Sequence, residues 1–243
     1  MNRAQRHHLK ENELERLAAQ ARETMEARRR EILAAVVAIV VLGGGALGYY
    51  GWQQRGEGRA HAALAEALTI EAARIGPPAA PGTVAPGPSF PTERERSQAA
   101  LEKFKAVADQ YPDSDAGIFA RYKQATTQML LGAPAEAATA YQDVMQRDGD
   151  GVYGQMAQLG LAEAHARSGQ YDQAIDAFKK LSARTDGTLP VDGVLMQLAR
   201  TYVQAGKPTE AQQTFNRIVQ EFPESPFNAQ AKQEGEALKK AST

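Results

Sequence analysis

The sequence predicts an all-α protein in which one transmembrane helix is followed by an α-solenoid of helix–turn–helix repeats. The first observation is an apolar run without a charge, which extends from Ile32 to Tyr50. The second is an aromatic side chain that recurs every 37 residues in the C-terminal part, with a glycine that keeps the same step. The third is the composition: alanine is very common and only 7% of the residues are aromatic, which suits closely packed helices better than sheets.

The composition also excludes several classes of function. A net charge of −1 argues against a general nucleic-acid-binding protein, which would carry a basic stripe. The chain has no cysteine, which excludes disulfides, thiolate metal sites and a cysteine nucleophile. The apolar run and the repeats are therefore the informative features.

The apolar run has the length of a membrane span. As a helix it extends about 28 Å, close to the ~30 Å hydrocarbon core of a bilayer. A cleaved signal peptide is the alternative, but its apolar stretch is about 7 to 15 residues long and follows a short basic segment. Here the segment before the run is long, from Met1 to Glu31, and mixes eight Lys/Arg with six Asp/Glu. We therefore expect a permanent transmembrane helix over residues 32–52.

The flanks of the run predict its orientation. Arg28, Arg29 and Arg30 lie at its N-terminal end, and short basic flanks stay in the cytoplasm. Tyr49 and Trp52 fit the aromatic belt at the opposite interface. The N-terminus is thus expected inside and the long C-terminal part outside.

Four further segments follow from periodicity and composition. Residues 1–31 predict a cytoplasmic amphipathic helix, and residues 53–75 a helical connector that could be a first-repeat helix displaced from its partner. Residues 76–92 are rich in Pro and Gly and predict an extended linker that acts as a spacer. Residues 93–243 predict the repeat domain, closed by a polar capping helix.

The repeats are defined by a small residue four positions before each aromatic, by a turn glycine between two helices, and by proline after the second helix. The small residue and its aromatic occur four times and the glycine three times, each at the same constant step along the chain. These residues are Ala100, Phe104, Gly132, Ala137, Tyr141, Gly169, Ala174, Phe178, Gly206, Ala211, Phe215 and Pro223.

This pattern resembles the tetratricopeptide repeat, whose period is slightly shorter, at about 34 residues. A basic tail, one span, a linker and an alanine-rich repeat domain together resemble a narrower family, the ancillary subunit of the bacterial SecYEG translocon (YfgM-like), whose repeat domain is shared with a periplasmic cell-division coordinator. The resemblance implies a single-pass inner-membrane protein with a periplasmic repeat domain. Its partners would be translocon subunits, periplasmic chaperones or exported clients. An envelope-assembly or division coordinator and an import receptor with cytosolic repeats remain alternatives.

The resemblance also implies a binding groove lined by the first helix of each repeat. The positions that match the family's groove are Phe119, Tyr122, Thr126, Met129, Met156, Leu159, Glu163, Arg167, Met196, Arg200 and Gln204. Such an apolar, methionine-rich lining suits adaptable capture of a helix or peptide. The alternative is that several of these side chains pack against neighbouring helices.

No constellation for catalysis, metal or cofactor binding is expected. The segment GDGVYG at residues 149–154 matches a dinucleotide fingerprint in its letters, but no strand is expected before it, so we predict an inter-repeat loop. We therefore expect a protein that is not an enzyme and has no cofactor. Gly44 and Gly48 have the spacing that lets two membrane helices approach closely, so they could pair two copies or contact a partner helix.

Overall fold

The computed structural model of the chain describes residues 29–76, 87–184 and 189–241, and these contain nine helices and two short strands. The chain divides into two compact units, residues 1–55 and residues 56–243. In chain order the elements are α1 (Arg29–Glu71), β1 (Arg74–Ile75), β2 (Ser89–Phe90), α2 (Glu93–Gln110), α3 (Asp115–Leu131), α4 (Pro134–Asp148), α5 (Val152–Arg167), α6 (Tyr171–Ser182), α7 (Val191–Gln204), α8 (Pro208–Glu221) and α9 (Asn228–Ala241).

The first unit is described from residue 29 onward, where it consists of the N-terminal part of α1. Its apolar side chains at Val37 and at residues 39–42 are more than half exposed. In the part of the chain that the structure describes, no helix is long and apolar enough to cross a membrane. The structure therefore does not support the span predicted over residues 32–52.

Other predictions for the first unit fall mostly outside the described residues. This applies to the amphipathic helix, of which residues 1–28 are not described, and to Arg28. Arg30 and Gly44 are exposed, and no other part of the described chain lies within 4 Å of the space that a side chain at Gly44 would occupy. The surroundings of Arg29 and Gly48 are not described.

The second unit consists of antiparallel helix pairs, which confirms the prediction of an all-α solenoid. Between the two helices of a pair, Gly132, Gly169 and Gly206 have φ angles of 81°, 75° and 69°, a left-handed conformation that favours glycine. Pro134 and Pro208 begin the second helices of two pairs, where a missing N–H costs little. The glycines and prolines that the sequence assigned to turns thus lie where one helix ends and the next begins.

The repeated alanines and aromatics form the interior of the solenoid. Each alanine–aromatic pair lies on the second helix of its repeat, and all eight side chains are buried. They belong to three consecutive apolar clusters, which involve α1 to α3, α3 to α5, and α5 to α9. Each pair of helices therefore packs against its neighbours in sequence, as expected for a solenoid.

The helix over residues 56–71 is the partner of α2. Ala60, Leu64 and Ala67 are buried in one cluster with Ala100 and Phe104 of α2. An ion pair joins Lys103 Nζ to Glu66 Oε1 at 2.6 Å, and another joins Lys123 Nζ of α3 to Glu71 Oε1 at 2.6 Å. These residues complete the first repeat instead of standing apart from it.

The ends of the Pro/Gly-rich segment are held together, which differs from the spacer expected there. β1 and β2 pair in parallel, with Arg74 opposite Ser89 and Ile75 opposite Phe90. The Gly76 N–H adds a hydrogen bond to the Phe90 carbonyl at 2.9 Å. Residues 77–86 lie outside the described part. Because β1 and β2 are paired, the two ends of the segment lie side by side, and α2 follows next to the helix of residues 56–71 in the same repeat.

Candidate interaction groove

A pocket opens on the first helices of three successive helix pairs, within the second unit. Its volume is about 370 Å³. Leu64 of α1, Ile118 and Phe119 of α3, and Val152 and Tyr153 of α5 form its apolar walls. His61, Asp115 and Asp148 add polar groups. This pocket is called the groove pocket below.

Two helix starts position the polar groups of the groove pocket. Ser114 Oγ accepts the Gly117 N–H at 3.0 Å, which fixes the start of α3 and places Asp115 as its first residue. One carboxylate oxygen of Asp148, Oδ2, accepts the Gly154 N–H at 2.8 Å in the first turn of α5. Both acids therefore lie near helix N-termini, where the helix dipole favours negative charge.

The GDGVYG segment forms the connection between α4 and α5, as predicted, and continues into the first turn of α5. Gly149 has a φ of 54° and ends α4, and Gly151 precedes α5. A side chain at Gly154 would overlap the Gly149 carbonyl, so the close approach of backbone to backbone requires a glycine there. The glycines thus have structural roles in an inter-helix loop, and the segment follows a helix and not the strand that a dinucleotide site needs.

Three aromatic rings continue from the groove pocket along the first helices, and they contact a fourth ring, Tyr141 of α4, that is buried in the core. The ring centroid of Tyr153 lies 5.1 Å from that of Phe119 and 6.1 Å from that of Tyr122. Tyr122 in turn lies 6.0 Å from Tyr141. All three pairs are tilted, a favourable geometry for aromatic contacts. Phe119, Tyr153 and Tyr122, which are partly exposed, together are called the aromatic strip.

Glu163 lies at the tyrosine end of the aromatic strip and is partly buried. Burial raises the pKa of its carboxyl group, and the charge of Arg167 offsets this only in part. Burial also raises the pKa of the Tyr122 and Tyr141 hydroxyls, and the negative charge of Glu163 adds to both shifts. Within the described residues Glu163 has no hydrogen bond or close ion pair of its own. It is a carboxylate held at the edge of the core.

Several of the predicted groove positions belong to this surface. Phe119 and Tyr122 are part of the aromatic strip, and Glu163 lies beside it. Arg167 extends to the preceding pair and donates to the Met129 carbonyl at 3.3 Å.

The side chains at other predicted groove positions pack in the interior of the protein. Met129 and Met196 are buried in the core, at 7% and 1% exposure, so their side chains offer almost no surface to a partner. Leu159 packs against the last apolar cluster. For these three the packing alternative holds.

Three of the remaining positions are polar and one is a partly exposed methionine. Thr126 Oγ1 donates to the Lys123 carbonyl of its own helix at 2.9 Å. Arg200 forms an ion pair with Glu234 of α9 at 2.8 Å. Gln204 is exposed and Met156 is partly exposed. The structure does not bring these four into the groove pocket.

The sequence missed the residues that build the other walls of the groove pocket, among them Leu64, Val152 and Tyr153. Leu64 was not identified because the sequence left open whether its helix packs on the repeats. Tyr153 and Val152 lie one turn before the matching family position, at the start of α5. Phe119 and Tyr153 are separated by one period of the family's repeat, and this spacing is the signal that could have identified Tyr153.

Comparison with known proteins gives the same architecture. A family model described as a tetratricopeptide repeat-like domain matches residues 30–187, and one described as a tetratricopeptide repeat matches residues 194–225. Similar solved structures include the nearly identical TPR-like repeats of a candidate kinesin light chain from Podosopora anserina and a single-substitution variant of them, with TM-scores of 0.53 and 0.52. Each is 17% identical to this chain, and each match covers 75% of this chain and 92% of the other, so the likeness concerns the fold alone. No curated protein sequence matches the chain.

Proposed function

The chain belongs to the tetratricopeptide repeat-like family, and we propose that it binds a partner protein in the groove pocket and along the aromatic strip. Repeats of this family are typically non-catalytic scaffolds for protein interaction, and neither family model indicates an enzyme. The observation that carries the proposal is the groove pocket itself, in which three successive helix pairs present apolar and aromatic side chains around one opening. Val152 at this opening is 59% exposed, so a partner would remove apolar surface from water.

A double variant of the full-length chain tests the proposal. Phe119→Ala/Val152→Ser removes apolar wall from the groove pocket, whereas Lys180→Ala changes an exposed position on α6 away from it. After crosslinking in cells, we expect recovery of the main partner to fall about tenfold with the double variant and to stay unchanged with Lys180→Ala. Equal recovery by both variants, with equal far-UV circular dichroism, would exclude the groove pocket as the interaction site.

We further propose that this scaffold is held at the bacterial inner membrane, with the N-terminus in the cytoplasm and the repeats in the periplasm. The charge-free run at residues 32–50 and the arginines at 28–30 support this proposal. The row of exposed apolar side chains at residues 37–42 of α1 also favours an apolar environment. Carbonate extraction should leave the chain in the membrane pellet, and protease added to spheroplasts should digest residues 93–243. Protection of the repeats in spheroplasts would instead favour the cytosolic import receptor.

The proposed partners are translocon subunits, periplasmic chaperones or exported clients. This part rests on the resemblance to the ancillary translocon subunit. Crosslinking in native membranes should recover one of these classes, and recovery of none would exclude it. For a coordinator of envelope assembly or division, depletion would give division or outer-membrane defects while export continued.

Pairing of two copies through the membrane helix is a separate proposal. The spacing of Gly44 and Gly48 supports it. Gly44→Leu/Gly48→Leu should abolish chemical crosslinking between two copies, while Ala34→Leu should not. Unchanged crosslinking in the glycine variant would exclude this contact.

A further inference from the structure

The groove pocket is lined by two carboxylates, those of Asp115 and Asp148. Asp115 is exposed at the first position of α3, and within the described residues its carboxylate makes no hydrogen bond or ion pair. Asp148 uses Oδ2 for the Gly154 N–H, so its other carboxylate oxygen is not committed to that bond. Among the described residues that line the groove pocket there is no Lys or Arg.

The walls of the groove pocket limit the kind of group that fits beside these carboxylates. Leu64, Ile118 and Val152 are aliphatic, and the rings of Phe119 and Tyr153 lie 5.1 Å apart. A long side chain with an apolar stem and a positive head matches both features, because the stem packs on the walls while the head stays near the carboxylates and water. Aromatic rings add attraction for a cation within about 6 Å of their centroids.

We infer that the groove pocket takes a lysine or arginine side chain from a partner polypeptide. This inference rests on the proposed function, and it names the partner's chemistry. A purely apolar side chain would remove the Asp115 carboxylate from water without giving it a partner, which is unfavourable. An acidic side chain would meet two carboxylates of the same sign. Charge complementarity therefore selects the basic side chain.

Degenerate peptide libraries with one fixed residue test this inference directly. Each library consists of nine-residue peptides whose central residue is Arg, Lys, Leu or Glu and whose flanks are identical mixtures. Full-length chain in detergent micelles is incubated with each library, and retained peptide is quantified by mass spectrometry. We expect the Arg and Lys libraries to be retained about fivefold more than the Leu and Glu libraries, with the difference shrinking at high salt.

Two variants locate the preference at Asp115. Asp115→Asn should lower retention of the Arg and Lys libraries about fivefold, whereas Asp176→Asn, which removes an exposed carboxylate from α6, should leave it unchanged. Asp115→Lys should shift the preference towards the Glu library. Thermal unfolding of each variant shows whether the fold is intact.

The possible failures are distinguishable. Retention that does not depend on the fixed residue, or an Arg and Lys preference that survives in Asp115→Asn, overturns the inference. If Phe119→Ala/Val152→Ser still lowers retention in that case, the proposed binding groove stands without its charge preference. If wild-type chain retains no library above the level of this double variant, the inference and the groove proposal are both overturned.

Discussion

At the scale of single residues, the repeat depends on small side chains that lie opposite large ones. Gly160 of α5 faces the ring of Tyr141 of α4, and Tyr141 is only 3% exposed. Gly235 of α9 faces Phe215 of α8 in a similar way, but with more room. The two glycines form a natural pair for measuring how closely the helices are packed.

Gly160→Ala should destabilise the protein. The added methyl group would overlap the Tyr141 ring, which is enclosed and cannot move away without disturbing the core. Overpacking of this kind costs about 1–3 kcal/mol. Gly235→Ala is the control, because its methyl group would lie 3.4 Å from Phe215 Cβ, an ordinary contact. That variant should be neutral or up to about 1 kcal/mol more stable, since alanine favours a helix over glycine. Equal unfolding midpoints in urea for the two variants would contradict this account of the packing.

Glu163 should make stability depend on pH in a way that its neutral analogue does not. Burial raises the pKa of Glu163 above the ordinary value of 4.5 in the folded protein, whereas the unfolded chain keeps the ordinary value. Between these two values the folded state binds more protons, so the free energy of unfolding falls as pH rises. Below both values Glu163 is neutral in either state and this effect vanishes.

Comparison of Glu163→Gln with wild type isolates this contribution from that of all other groups. The melting temperature of the variant should exceed that of wild type more at about pH 7.5 than at about pH 4. Circular dichroism melts of both proteins in the same buffers give the two differences. A gap that is the same at both pH values would mean that burial does not control this carboxyl group.

At the scale of elements, ion pairs between helices differ from those within one helix. Arg121 of α3 pairs with Asp109 of α2 at 2.7 Å and with Asp143 of α4 at 2.9 Å, and its side chain is 15% exposed. It therefore joins three consecutive helices. Among the residues that the structure describes, Arg217 pairs only with Glu221 one turn away on α8, at 3.0 Å, and both side chains are about half exposed.

Arg121→Met should cost about 1.5–3 kcal/mol, because it keeps the apolar stem but removes charge-assisted hydrogen bonds between helices. Arg217→Met should cost no more than about 0.5 kcal/mol, the usual value of an exposed pair within a helix. Urea unfolding of both variants gives the two free energies. Similar small losses would mean that solvent screens the three-helix contact as fully as the exposed pair.

The length of the Pro/Gly-rich segment has a structural reason at this scale. Parallel strands need a connection of about a dozen residues or more, and residues 76–88 provide 13 between β1 and β2. Deleting residues 77–86 should therefore break the pairing and cost about 1–3 kcal/mol through lost backbone hydrogen bonds. Replacing the same ten residues by a Gly/Ser sequence of equal length should keep most of the stability. A deletion variant as stable as the replacement would show that the pairing does not stabilise the repeat.

Sequence periodicity predicted where the helices and turns lie better than it predicted which elements pack or pair with one another. The glycines at 132, 169 and 206 mark turns by backbone geometry, and the alanine–aromatic pairs mark buried faces, so both could be recognised locally. The pairing of β1 with β2 is two residues long and leaves no alternating pattern, so the return of the chain to α2 was not predictable. The groove pocket was recognised at Phe119 but not at Leu64 or Val152, because those walls depend on which helices become neighbours.

At the scale of the whole chain, the solenoid is a series of clusters in which each helix pair covers the next. The first cluster needs α1, since Ala60, Leu64 and Ala67 cover Phe104 and Ala100 of α2. Phe104 is completely buried in this arrangement. We therefore expect the stable repeat domain to start near residue 56, where the second compact unit begins, rather than at residue 93.

Two fragments should separate these boundaries. A fragment of residues 93–243 exposes Phe104, which alone costs about 1.5–3 kcal/mol of apolar burial, so it should unfold at lower urea than residues 56–243. Leu64→Ala in the longer fragment is the internal control, because it keeps the helix and removes one buried contact at a cost of about 2–5 kcal/mol. If both fragments unfold at the same urea concentration and Leu64→Ala has no effect, residues 56–71 do not stabilise the first repeat. If only the longer fragment is stable, residues 56–71 of α1 are the first helix of the solenoid. The wall that Leu64 adds to the groove pocket then depends on the presence of this helix.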